Sequence, residues 1–416
     1  MGNIIIDGGR RLQGEITVQG AKNSALPILA ACVLVDGISV IHNCPSLTDV
    51  DAAVRILCHL GCKVKREGNT LTVDSRSIVN YSIPEELMAE MRSSIVFLGS
   101  ILARTGRAEL SSPGGCDIGL RPIDLHLDAL KALGAEINEK HGFISCRMNR
   151  TKGAVISLSF PSVGATENII LASVSGTGRT VIHNAAREPE ILDLASFLNK
   201  AGFRVIVGTQ GTVVIEGRRK TFSPEHRVIS DRIVALTYMS AVGAAGGDVL
   251  LRNADASSFL TVLPVFEEAG FIVNHNKNSL RIKAYNRPKA VKSIRTMPFP
   301  GFPTDAQAPV MAMLSLSDGT SVIVENIFEN RFKHISELCK MGAKIKAEGR
   351  VAIVDGVPEL YGAKVKCTDL RGGGAMVVAG LSAKGRTIIE ATEHIDRGYE
   401  NIEENLRRLG AEIKRI

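Results

Sequence analysis

A short motif recurs six times along the chain, and its spacing limits the folds available more than any other feature. A helix ends in a small residue or leucine followed by glycine, and a strand begins at once. The copies are HLGCKVK at Gly61, ALGAEIN at Gly134, KAGFRVI at Gly202, EAGFIVN at Gly270, KMGAKIK at Gly342 and RLGAEIK at Gly410. Successive intervals are 73, 68, 68, 72 and 68 residues. A second landmark, a turn glycine opening a strand, keeps the same rhythm at Gly37, Gly106, Gly178, Gly247, Gly319 and Gly385. Two independent landmarks with one period leave little room for chance. A period of about 70 exceeds that of solenoid repeats. It suits a compact αβ subdomain made six times over, and hence an α/β (α+β) fold class.

Each unit has the same predicted order: an apolar helix, a strand, an amphipathic helix and a hairpin. Ile402, Leu406 and Leu409 fall at i, i+4 and i+7 in the last unit, as do Ile123, Leu127 and Leu130 in the second. Glycines 410 and 134 then stop those helices. The sixth unit breaks off at AEIKRI, where a second hairpin strand is due. The segment NIII, residues 3–6, can supply it. The expected division is therefore residues 21–229 as one domain of three units, and residues 1–20 plus 230–416 as the other. Two crossing segments predict a hinge and a cleft.

Composition narrows the partners. Among 416 residues the formal net charge is +7, which favours anionic ligands. Aromatics are scarce and Trp is absent, a poor basis for stacking single-stranded nucleic acid. With no long Lys/Arg block, small anionic substrates are expected rather than nucleic acid. Residues 1–10 lack a signal-peptide layout, and no apolar run reaches transmembrane length, so no membrane association and a cytoplasmic location are expected. The eight cysteines (32, 44, 58, 62, 116, 146, 339 and 367) form no CxxC pair and have no paired His ligands. No metal site and a reducing compartment are expected.

Polar clusters open the first helix of each unit: Lys22-Asn23, Arg92, Ser162-Val163-Gly164, Ser230-Asp231-Arg232, Thr304-Asp305 and Asp369-Leu370-Arg371. Helix N-termini carry partial positive charge and unpaired N–H groups, a ready anion site. Ser, Thr and Asp there ordinarily serve as caps. Lys22, Arg92 and Arg371 oppose the helix dipole, so capping does not explain them. Two loops add chemistry: SSPGGCDIGLRP (111–122), with Cys116 beside Asp117 and near Arg121, and DRGYEN (396–401), with Arg397. Neither GxxxxGK[ST] nor a well-placed GxGxxG is present, which argues against P-loop and dinucleotide sites.

These stretches resemble the enolpyruvyl transferase family, specifically its UDP-N-acetylglucosamine branch. The match is carried by GAKNSALPILAA, PGGCDIGLRPIDLH, PSVGATENI, NAAREPEI, PGFPTDAQA, ENRFKH, TDLR and DRGYENI, from residue 20 to 402. The sister branch acting on shikimate 3-phosphate lacks the cysteine loop. The resemblance implies the two-domain enolpyruvyl transferase fold, six βαβαββ-like units in an inside-out α/β barrel. It implies transfer of the enolpyruvyl group of phosphoenolpyruvate to the 3-hydroxyl of UDP-N-acetylglucosamine, with release of phosphate and without any cofactor.

By the same resemblance, Cys116 is the general acid, Asp305 the base, and Lys22 and Arg397 belong to the catalytic set. Lys22, Asn23, Arg92, Arg121, Arg371 and Arg397 contact phosphoenolpyruvate. Asn23, Arg92, Arg121, Pro122, Ile123, Asp124, Leu125, Ser162, Val163, Gly164, Asp305 and Ile327 contact the sugar nucleotide. Arg331, Asp369 and Arg371 support the site. A packing role is expected for His126. Glu188 and Glu190 are expected to orient Arg187 or a backbone loop. Where relatives read DRIEAGT this chain reads DRIVALT, so Val234 and Leu236 replace an acid and a glycine.

Overall fold

In a computed structural model, residues 2–111, 123–149, 151–217 and 220–416 are described, with Arg92 traced by its backbone. Contacts sort them into two units, one of residues up to Gln19 with Ser230–Ile416, the other from Gly20 to Ile229. Each unit has its own apolar core.

The helices divide into two kinds, and the sequence explains why. Those opening the repeats are Lys22–Cys32, Phe97–Thr105, Val163–Ser173, Arg232–Ala245, Thr304–Leu314 and Leu370–Ser382. They are largely apolar and correspondingly buried, although in Phe97–Thr105 and Arg232–Ala245 the residues left outside the core lie at the C-terminal end. In Lys22–Cys32 every residue but Asn23 is buried, and in Thr304–Leu314 every residue but Thr304 and Asp305. In Val163–Ser173 the only two outside the core are Val163 and Gly164. A helix buried along its length and open at its N-terminal tip leaves only that tip for chemistry. The second kind, such as Thr48–Leu60 and Pro189–Lys200, is amphipathic and covers a sheet.

The strands form six open four-stranded sheets, one per repeat. In each, a hairpin pairs antiparallel with the strand after the buried helix, whose other edge takes a parallel strand. The sixth sheet includes the N-terminal strand Ile4–Asp7, antiparallel to both Arg386–Glu390 and Glu412–Arg415. Likewise Glu225–Arg227 runs parallel to Ile38–His42, and Leu12–Thr17 to Gly247–Arg252. The helix-ending glycines 61, 134, 202, 270, 342 and 410 all have φ between 91° and 106°. That is the left-handed region in which glycine escapes the Cβ clash.

Among the described residues no helix is long and apolar enough to cross a membrane. Five of the described cysteines are buried and only Cys58 and Cys339 exposed. Burial raises Cys146 to about 11 and Cys62 and Cys367 to about 12, leaving them as protonated packing groups. Val234 and Leu236 are fully buried, so their departure from the family pattern falls on core packing.

Candidate functional site

At the tip of Thr304–Leu314, Pro303 occupies the cap position and makes no side-chain cap, leaving Asp305 in the first turn for other partners. Its Oδ1 accepts from Arg331 Nη2 at 2.7 Å and its Oδ2 from Arg371 Nη2 at 3.0 Å. Both arginine side chains are almost wholly buried, while Asp305 keeps about a quarter of its surface open. Burial opposes the charge on Arg371, but Asp305, Tyr399 and Asp231 outweigh it and hold its pKa above the ordinary value. Asp369 does two things: it caps its own helix through the Arg371 and Gly372 amides and lies 3.7 Å from Arg331. The structure thus brings Asp305, Arg331, Asp369 and Arg371 together. The buried carboxylate of Glu325 adds Ile327, accepting from Thr304 Oγ1 at 2.9 Å and the Ile327 amide at 2.8 Å. His334, also buried here, is pushed to about 4 by burial, against the pull of Asp369, so it is neutral at physiological pH.

The Arg397 loop reaches the same place through Tyr399. Arg371 stacks over the Tyr399 ring at 5.5 Å, and the Tyr399 hydroxyl meets Thr237 Oγ1 at 3.1 Å. Gly374 leaves the room for that ring: a Cβ there would lie 2.5 Å from the Tyr399 hydroxyl oxygen. Gly374→Ala is therefore expected to destabilise the fold by about 1–3 kcal/mol through overpacking. Equilibrium urea denaturation, read as a lowered midpoint at unchanged m-value, checks it.

The other unit presents two further tips. Lys22 starts a helix with no side-chain cap, and its Nζ is 2.9 Å from the buried Asp49 carboxylate. That carboxylate offsets the cost of placing a cation at a positive helix end. Beside it, Asp193 accepts from Ser24 Oγ and from the Ile229 amide at 3.2 Å, and His226 Nε2 lies 2.8 Å from its other oxygen. At the second tip Ser162 caps its helix through the Ala165 amide. His126 packs against Gly164, where a Cβ would sit 3.0 Å from the ring. That contact sets the Ser162–Gly164 tip against the turn formed by Ile123, Asp124 and Leu125.

Sequence reasoning missed what holds this second tip. Within an otherwise apolar helix, Thr166, Glu167 and Asn168 are all buried. The Thr166 hydroxyl accepts the Ala186 amide at 3.0 Å. The Asn168 oxygen accepts the Gly99 amide at 2.7 Å, and its nitrogen reaches the Ile95 carbonyl and His126 Nδ1 at 3.0 and 2.8 Å. Asn168 so ties the tip to the turn after Arg92 and to the helix after the cysteine loop. Burial, reinforced by Glu190 and Glu188, holds Glu167 well above the carboxylate range, in its neutral form. Three consecutive polar residues on an apolar helix were the available signal. His126 is buried and lowered to about 4 by burial, a packing histidine. Glu188 accepts the Arg187 amide at 3.0 Å. Asp231 is a cap, accepting from the Ile233 and Val234 amides. Asn23 is exposed, and Arg397 half-buried. Cys116, Arg121, Pro122 and the side chain of Arg92 lie outside the described residues.

Comparison with known proteins adds the family. The model of EPSP synthase (3-phosphoshikimate 1-carboxyvinyltransferase) matches residues 6–406. A protein of Caldanaerobacter subterraneus subsp. tengcongensis named UDP-N-acetylglucosamine 1-carboxyvinyltransferase 2 is 51% identical over 416 residues, covering 100% of both chains. A second protein of that organism, UDP-N-acetylglucosamine 1-carboxyvinyltransferase 1, is 47% identical over 411 residues, 99% of each. Among solved structures, the enolpyruvyl transferase NikO from Streptomyces tendae superposes with a TM-score of 0.90 at 23% identity, covering 100% of this chain and 99% of its own. At that identity the likeness speaks for the fold.

Proposed function

The chain belongs to the EPSP synthase (3-phosphoshikimate 1-carboxyvinyltransferase) family, and from that premise we propose that it moves the enolpyruvyl group of phosphoenolpyruvate onto the 3-hydroxyl of UDP-N-acetylglucosamine. The proposed setting is the cytoplasm, at the first committed step of peptidoglycan precursor synthesis. The choice of acceptor is supported by the names of relatives matching the whole chain at 47–51% identity. The observation that carries the chemistry is Asp305, a partly open carboxylate fixed between two buried guanidiniums at a helix tip.

The reaction adds a proton to the methylene carbon of phosphoenolpyruvate and the sugar oxygen to the adjacent carbon. The resulting ketal then loses phosphate and a proton from the new methyl group, restoring the double bond. Cys116 supplies the first proton: a thiol of ordinary pKa ~8.5 is mostly protonated at neutral pH. Asp305 accepts from the 3-hydroxyl as it attacks. Lys22, Arg92, Arg121, Arg371 and Arg397 hold the phosphate and carboxylate, groups that guanidinium forks match bidentately. Lys22 is also paired with Asp49. Positioned charge of this kind is the largest source of rate. Asn23, Pro122, Ile123, Asp124, Leu125, Ser162, Val163, Gly164 and Ile327 line the sugar nucleotide. Arg331 and Asp369 keep Asp305 and Arg371 in place.

Phosphate release from phosphoenolpyruvate, followed with UDP-N-acetylglucosamine, with shikimate 3-phosphate and with neither, tests the reading. Release only with the sugar nucleotide is expected. Release with shikimate 3-phosphate, or without any acceptor, refutes the assignment.

A further inference from the structure

Residues 397–401 form neither helix nor strand, so partners outside the loop set its geometry. Arg415 grips its flanks, taking both oxygens of Asp396 at 2.7 and 3.0 Å and Glu403 at 2.8 Å. Gln19 grips its middle. The side-chain oxygen of Gln19 accepts the Glu400 amide at 2.7 Å, and its side-chain nitrogen donates to the Gly398 carbonyl at 3.1 Å. Gly398 follows Arg397 directly. The backbone carbonyl of Gln19 accepts the Asp231 amide at 2.9 Å, and Asp231 caps the helix Arg232–Ala245. A single residue, three before Lys22, therefore joins a helix cap to the backbone on the far side of Arg397. The carboxamide presents a donor and an acceptor in one plane, and asparagine is a methylene shorter.

We infer that Gln19 is a positioning residue: it sets the Arg397 loop at the height at which that guanidinium meets phosphoenolpyruvate. This rests on the proposed role of Arg397. A guanidinium on a loose loop must be ordered when substrate binds, and that ordering weakens binding.

Gln19→Met keeps length and apolar volume but neither hydrogen bond. It is expected to raise KM for phosphoenolpyruvate about tenfold, as the loss of two hydrogen bonds implies. The Kd for UDP-N-acetylglucosamine should stay unchanged, and the melting temperature should fall only by the small amount that two part-buried hydrogen bonds account for. Gln19→Glu keeps the bond to the Glu400 amide but turns a second acceptor oxygen toward the Gly398 carbonyl, so it should also raise KM. In an Arg397→Met background Gln19→Met should add nothing, because its effect runs through Arg397. The inference is overturned if KM for phosphoenolpyruvate stays within about twofold in both Gln19 variants while Arg397→Met raises it strongly. It is equally overturned if the Gln19→Met effect appears in full on top of Arg397→Met. A KM unmoved by Arg397→Met alone refutes the role of Arg397 itself, and with it this inference. That outcome is read from the single variant and so is distinct from the other two.

Discussion

Asp305→Ala is expected to lower kcat by about 10²–10⁴, the usual worth of a positioned proton acceptor, and to destabilise the fold as well. Arg331 and Arg371 both spend hydrogen bonds on that carboxylate, and both are buried. Removing one partner of a buried ion pair costs about 3–5 kcal/mol, because the remaining charge has no solvent to turn to. Asp369 still faces Arg331 and Asp231 still acts on Arg371, which keeps the loss from reaching that of a wholly unpaired charge. Asp305→Asn separates the two effects. It keeps the shape and one acceptor, so more stability than activity should survive. Steady-state kinetics with urea denaturation on both variants checks this. An alanine variant as active as the parent removes Asp305 from the reaction.

Cys116→Ala carries the second large effect. Without the thiol, protonation of the methylene carbon loses its proposed donor, and kcat is expected to fall by about 10²–10⁴. Binding of UDP-N-acetylglucosamine, read by calorimetry, should be kept. In the parent enzyme the acid form of the thiol is the active one. The rate of the addition step should therefore decline as pH rises through the thiol pKa, ordinarily ~8.5. A variant that still turns over normally excludes Cys116 as the acid. Cys62, Cys146 and Cys367 offer no substitute, since they are protonated but packed in the core.

The repeat was legible because it is written in residues with local consequences. A glycine that must take positive φ marks a helix end wherever the helix goes, and all six helix-ending glycines do so. A third marker was less visible. Asn43, Asn184, Asn253 and Ala391 follow strands of four different repeats and share φ near 55°. Asparagine tolerates that region, but alanine in one copy breaks the sequence pattern. The helix tips were likewise legible, since Lys22 and Arg371 stand where the dipole disfavours them. Their partners were not. Asp49 lies 27 residues beyond Lys22, and Arg371 reaches back 66 residues to Asp305. Nothing local in either segment encodes such pairings. The Thr166–Glu167–Asn168 triplet resembles its counterpart in relatives, but its work, four tertiary links from one buried turn, depends on packing. Gln19 looks like an ordinary polar residue at a strand end until the Gly398 and Glu400 backbones are brought to it.

The most direct measurement is the structure of the product. Protein, phosphoenolpyruvate and UDP-N-acetylglucosamine are incubated together, and the nucleotide sugar formed is examined by mass spectrometry and NMR. One phosphate per product molecule and a vinyl ether attached at the sugar's 3-oxygen are expected. Unmodified nucleotide sugar after phosphate has been released, or an enolpyruvyl group on any other oxygen, contradicts the proposed transfer.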